Sequence, residues 1–203
     1  FDDGHDHGHG EEAHDDHGHD DHSEAGHDDH DHGDTDPHAW LSPQVATAWL
    51  ATIADTLAET DPANAATYRA NAEAATASLA ALQAELSAQL APLAGRAFVV
   101  PHDAYQYFET AFGLPAAGAV ALSDAASPGP ARIDALRDRV KAGDIACILT
   151  DPQTNPDWSA ILRENGIART AEVDADGTNI PPGPEAHATI LRGIATALTG
   201  CLS

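Results

Sequence analysis

An α/β body built on a parallel sheet, entered through a long helix and preceded by a histidine-rich head, is expected from three features of this sequence. Ten of its thirteen histidines fall within residues 1–34. Apolar residues then recur at three- and four-residue steps over about thirty positions ending at Leu93. From Gly95 onward, short apolar runs alternate with helical repeats, the pattern of a parallel sheet covered by helices on both faces.

The head comes first. The chain has 203 residues, with nine Lys+Arg against thirty-three Asp+Glu and a net charge of −24. Fourteen of those acids, and no Lys or Arg, lie in residues 1–34. So acidic a surface repels phosphate backbones and anionic lipid, which argues against nucleic-acid or membrane-surface binding and favours cations. No stretch approaches the roughly 18 continuous apolar residues of a membrane-spanning helix. From Asp2 to Asp34 only Ala13, Ser23 and Ala25 are not His, Asp, Gly or Glu, so the tract has nothing to bury and is expected to be disordered. His5, His7, His9, His14, His17, His19, His22, His27, His30 and His32 recur at spacings of two to five, interleaved with carboxylates. Imidazole nitrogen and carboxylate oxygen are both zinc ligands, so weak, exchangeable metal sites are expected here. Imidazoles titrate near pH 6.5, so full protonation would move the head from −14 to about −4 and remove the lone pairs a metal needs. Phe1 stands inside this acidic tract without an initiator Met or signal peptide, so the chain is expected to be a piece of a longer protein.

The body begins at Asp36-Pro37-His38-Ala39-Trp40-Leu41-Ser42-Pro43, where Ser42 is a suitable helix N-cap and Pro43 a suitable first residue. Val45, Trp49, Ile53 and Leu57 would form the apolar stripe of that helix. Asp61-Pro62 repeats the start signal. The helix over 62–93 then carries Tyr68, Ala72, Ala75, Leu79, Leu82, Leu86, Leu90 and Leu93 on one face, about 45 Å long at 1.5 Å per residue. Strands are expected at 97–100, 117–122, 145–149 and 168–173, and helices at 104–112, 131–142, 156–164 and 185–202. Ligands of such sheets sit beyond the carboxyl ends of the strands. His102, two residues after its strand, and Asp174, directly after its own, belong at that rim.

Cys147 and Cys201 are the only cysteines, and sequence alone leaves a disulfide and two buried thiols equally open. Hydrolase nucleophile elbows, phosphate-binding loops, dinucleotide fingerprints and His-Glu-x-x-His are all missing. Nothing in the residues argues for an enzyme.

Four segments resemble the ZnuA-type cluster, the zinc-binding periplasmic solute-binding components of bacterial ABC importers. They are the His/Asp tract running into 36–43; Phe98-Val99-Val100-Pro101-His102-Asp103-Ala104-Tyr105-Gln106-Tyr107-Phe108; Ser127-Pro128-Gly129-Pro130-Ala131-Arg132-Ile133 with Asp151-Pro152-Gln153; and Val173-Asp174 through Gly177-Thr178-Asn179-Ile180 to Cys201-Leu202. The resemblance implies two α/β lobes joined by a long helix, with the metal held in the cleft between them. Residues 1–35 would be the His-rich loop, 36–61 the end of the N-terminal lobe, 62–94 the linking helix and 95–203 the C-terminal lobe. His38 and His102 would be metal ligands, and Asp174 matches a carboxylate that ligates the metal in manganese and some zinc relatives. Cys147 and Cys201 match a disulfide of zinc-binding members. A monomeric periplasmic carrier of Zn2+ is implied, delivering it to a membrane permease driven by an ATPase, with the loop as an auxiliary zinc site. Two departures stand out: the family's further N-terminal histidine lies upstream of Phe1, and Pro101 replaces a usually apolar residue before the ligand.

Other readings of the same residues are a manganese or iron carrier of this cluster, a zinc buffer working through the His tract, and a metallohydrolase. His187 has no matching motif and reads as a surface residue. Trp40, Trp49, Tyr105, Tyr107 and Phe108 read as packing residues, and Asp103 as a carboxylate able to orient an imidazole.

Overall fold

The computed structural model describes residues 36–121, 128–152 and 169–203. The His tract and the helix expected at 156–164 lie outside them. Ser42 caps α1 (Pro43–Thr60) as its sequence predicts: its side chain accepts the Val45 N–H, and Pro43 follows as the first helical residue. At the other end Asp61 closes the turn, its carboxylate accepting from the Asn64 amide at 2.7 Å and the Tyr68 hydroxyl at 2.9 Å. These hydrogen bonds hold the Asp61 carboxyl below its usual pKa. The long helix α2 (Ala65–Leu90) has a 3-10 turn on each side, Pro62–Asn64 and Ala91–Leu93, so the helical path runs from 62 to 93 as expected.

The expected stripe of α1 does not face the body. Trp49, Ile53 and Leu57 are 44%, 52% and 42% exposed, while Ala54 and Ala58, in the adjacent row, are buried. α1 packs along α2. Two helices approach more closely through alanines than through branched or aromatic side chains, so the alanine row suits the packed face of α1. Trp49 and Ile53 instead border an open groove of about 720 Å³ between α1, α2 and the start of the last helix.

Four parallel strands follow: β1 (Phe98–His102), β2 (Gly118–Ala121), β3 (Cys147–Thr150) and β4 (Arg169–Glu172), in the order β2-β1-β3-β4. Between them lie α3 (Gln106–Phe112), stopped by Gly113 in the left-handed conformation at φ 65°, and α4 (Pro130–Lys141). The last helix, α5, spans Ala186–Leu202. Strand residues alternate between two cores, as a sheet covered on both faces requires. Phe98, Val100, Cys147 and Leu149 join Leu82, Leu86, Leu90 of α2 and Leu191, Ile194, Leu198 of α5. Val99, Val120 and Ile148 meet Ile133, Leu136 and Val140 of α4 on the other side. Arg132 and Arg139 of α4 donate to the carbonyls of Ala119 and Ala117, pinning that helix to β2.

β1 runs two residues further than the alternation predicts, so His102 ends the strand instead of following it. Pro101 gives this extension a particular form. Pairing with β3 stops at Val99, while pairing with β2 resumes at His102 after skipping 101. A proline has no N–H to donate to a ladder, so β1 parts from β3 where His102 and the residue after β3 begin. β4 is only half-buried, unlike the three strands before it. Cys147 of β3 and Cys201 of α5 form a disulfide, tying sheet to last helix across 54 residues.

Candidate metal centre

Two imidazoles meet at the carboxyl ends of β1 and β3. The rings of His38 and His102 lie 5.6 Å apart, centroid to centroid, and tilted by 55°. His38 leads into a 3-10 turn, Ala39–Leu41, and is only 9% exposed. Its Nδ1 is 2.6 Å from Asp36 Oδ1, and the same oxygen accepts the His38 backbone N–H at 2.8 Å. Gln106, the first residue of α3, donates its amide to Asp36 Oδ2 at 2.6 Å. Burial alone would raise the Asp36 pKa, but the hydrogen bonds from the His38 N–H, the Gln106 amide and the His38 ring outweigh it and leave the carboxyl below its usual range.

His102 repeats the arrangement from the other side. Its Nδ1 lies 3.4 Å from Asp151 Oδ2, one residue beyond β3, and both side chains are about nine-tenths buried, at 12% and 10% exposed. When a carboxylate accepts a hydrogen bond from the Nδ1–H of a neutral imidazole, the lone pair is left on Nε2, the form a metal ligand needs. At His38 that acceptor is in place at hydrogen-bond distance, and at His102 the Asp151 carboxylate stands on the same Nδ1 side at 3.4 Å. Asp103, which the sequence offers for this role, is exposed; Asp36 and Asp151 hold the positions at the rings.

The His38 segment is fastened to the body at further points. The Trp40 indole N–H donates to the Ala175 carbonyl at 3.1 Å, and its ring packs 5.2 Å from that of His38. His187 of α5 places Nε2 2.7 Å from the Trp40 carbonyl, so it is a structural anchor and not the surface residue its sequence suggests. Tyr105 and Phe108 are buried packing residues as expected, with Tyr105 5.9 Å from the His102 ring.

Asp174 begins the loop after β4. Its two oxygens accept the N–H groups of Thr178 and Asn179, each at 2.8 Å, and each keeps a lone pair. Gly177 makes this loop possible at φ +70°, where a Cβ would come within 3.0 Å of the Ile190 side chain. Among the described residues no three of His, Cys, Asp and Glu gather closely enough to hold an ion. The structure thus brings His38 and His102 together but does not gather Asp174 with them. The ten head histidines lie outside the described residues.

The family described as ZnuA, zinc-uptake complex component A periplasmic, matches residues 3–201. The chain belongs to that family. It is 44% identical over 169 residues to the high-affinity zinc uptake system protein ZnuA of Paracoccus denitrificans (strain Pd 1222), covering 83% of this chain and 52% of that protein. The same-named protein of Brucella suis biovar 1 (strain 1330) is 41% identical over 168 residues, covering 83% and 50%. A crystal structure of ZnuA superposes with a TM-score of 0.71 at 28% identity, covering 83% of this chain and 61% of that one. The α/β architecture of a solute-binding protein is therefore shared. The chain spans about half the length of the curated relatives it matches.

The paired carboxylates and His187 were not singled out from sequence. Asp36 carries a usable signal, since an Asp two residues ahead of a ligand can close on the backbone N–H of that ligand. Asp151, Gln106 and His187 carry none, because only the fold brings them to the site.

Proposed function

We propose that this chain forms part of the zinc-binding solute-binding component of an ABC-type importer, a periplasmic carrier that captures Zn2+ and delivers it to a permease driven by an ATPase. The observation that carries the reading is the His38–His102 ring pair, 5.6 Å apart, each ring backed by a carboxylate at Nδ1. Neutral imidazoles suit a borderline-soft ion such as zinc, whereas calcium and magnesium require many oxygens. His38 and His102 bind through Nε2, Asp174 is a further candidate ligand that the loop after β4 would have to bring to the rings, and the ten head histidines form an auxiliary weak site. Residues 36–61 close an N-terminal lobe, 62–94 form the linking helix and 95–203 the C-terminal lobe. The protein acts by binding and release, without catalysis, as a monomer.

Calorimetric titration of zinc at pH 7.5 into the chain, and into a version lacking residues 2–34, tests this. The shortened chain should keep one 1:1 site that His38→Ala and His102→Ala each abolish. Loss of all binding together with residues 2–34 would overturn the reading in favour of a zinc buffer. Stronger retention of manganese than of zinc would move the chain to a manganese carrier.

A further inference from the structure

The geometry points to Gln106 as a positioning residue: through Asp36 it locks His38 in the Nδ1–H tautomer with its ring held toward His102. The inference deepens the zinc reading and rests on His38 being a ligand only for its consequence, not for its geometry.

Three observations carry it. First, both oxygens of Asp36 are engaged, Oδ1 by the N–H and Nδ1 of His38 and Oδ2 by the Gln106 amide. Without the amide, Oδ2 loses this partner and the carboxylate is held through Oδ1 by His38, so carboxylate and imidazole can shift together. Second, the two ends of this relay differ in rigidity. Gln106 starts α3, which is nailed down by the fully buried Phe108 and closed by Gly113. Asp36 precedes Pro37, which restricts its backbone to extended conformations, and its Oδ1 is held by His38 itself, the residue it would position. Gln106, with an exposed side chain on an anchored helix, supplies the contact from outside this segment, 70 residues downstream. Third, only the NH2 end of a glutamine amide can face a carboxylate, so the contact has one polarity and hands the carboxylate to His38 as an acceptor only. An acceptor at Nδ1 demands Nδ1–H there, which leaves Nε2 to carry the lone pair.

The decisive measurement is the tautomer of His38 in the zinc-free full chain, read from imidazole 15N shifts at pH 7.5 and assigned by the signal lost in His38→Ala. The wild type should hold one tautomer, Nδ1–H. Gln106→Leu, which removes the donor and leaves an apolar side chain, should mix the two tautomers, and Gln106→Lys, which restores a donor, should return the signal to Nδ1–H. Zinc affinity of the chain lacking residues 2–34 should fall on the order of tenfold in Gln106→Leu, the lower end for loss of an outer hydrogen bond to a metal ligand. An unchanged tautomer in Gln106→Leu overturns the positioning role, as does failure of Gln106→Lys to restore it. A mixed tautomer with unaltered zinc binding upholds the positioning role and removes His38 from the ligand set, so the two ideas fail separately.

Discussion

Reducing the disulfide should cost this chain a large part of its stability. Cys147 sits in β3 and Cys201 near the end of α5, 0% and 4% exposed and 54 positions apart in sequence. Opening a loop of that length returns chain entropy to the unfolded state, about 4 kcal/mol at 25 °C by the loop-closure relation. A domain holds about 5–15 kcal/mol in total, so the loss is a substantial fraction. Urea melts followed by circular dichroism, with and without reductant and with chelator in both, measure it. At a urea slope of about 2 kcal/mol/M the midpoint should fall by about 2 M, and the slope itself should rise because the reduced chain unfolds to a more expanded state. Cys147→Ala/Cys201→Ala should fall further still, since it also empties sulfur from a closed core. A midpoint shift below about 0.5 M with an unchanged slope would refute the reasoning. It would mean that the buried face of α5, formed by Leu191, Ile194, Ala195, Leu198 and Leu202, holds the helix to the sheet without help from the crosslink.

Two further outcomes follow from burial and charge. Leu86→Ala, in the main core at 0% exposure, should cost about 2–5 kcal/mol, whereas Ile53→Ser on the outward face of α1 should stay within about 0.5 kcal/mol; denaturant melts of both variants check the pair. Glu109 is half-buried, and burial raises its pKa despite the Ala116 N–H it accepts at 2.8 Å, with Asp103 adding repulsion. A carboxyl raised on folding binds more protons native than unfolded, so its contribution is full below the unfolded pKa and is lost as pH rises through the folded one. Glu109→Gln should therefore gain on the wild type as pH climbs through the upper carboxylate range; a stability difference flat from pH 4 to 7 would contradict this.

Most of the architecture was readable because period and punctuation are local properties. The helical path from 62 to 93, the Gly113 stop, the Ser42-Pro43 start and the four short strands all depend on neighbours within a few residues. The face of α1 was not readable for the opposite reason. Val45, Trp49, Ile53 and Leu57 do form a row, but which row turns inward depends on packing against α2, and the alanine row suits that packed face. Pro101 had no local explanation either, and acquires one only where β1 leaves β3. His38 and His102 were singled out as candidate ligands through the family resemblance of the segments around them. Their carboxylate partners divide: Asp36 stands next to its ring in sequence, while Asp151 reaches His102 only after two strands have paired.

The fastening of the His38 segment has a consequence for the order in which the molecule assembles. Residues 36–42 are held by partners 70, 135 and 147 positions downstream, namely Gln106, Ala175 and His187. Closing chain segments that long is entropically costly, and contacts of such separation form late unless something shorter draws them together. During synthesis the imidazoles of residues 1–34 therefore emerge long before His38 and His102 can face each other. The His187 fastening of the His38 segment is complete only once α5 has docked. Trp40 takes part in two of the fastenings, its indole donating to Ala175 and its backbone carbonyl accepting from His187, so the indole environment should be the final optical signal to settle during refolding.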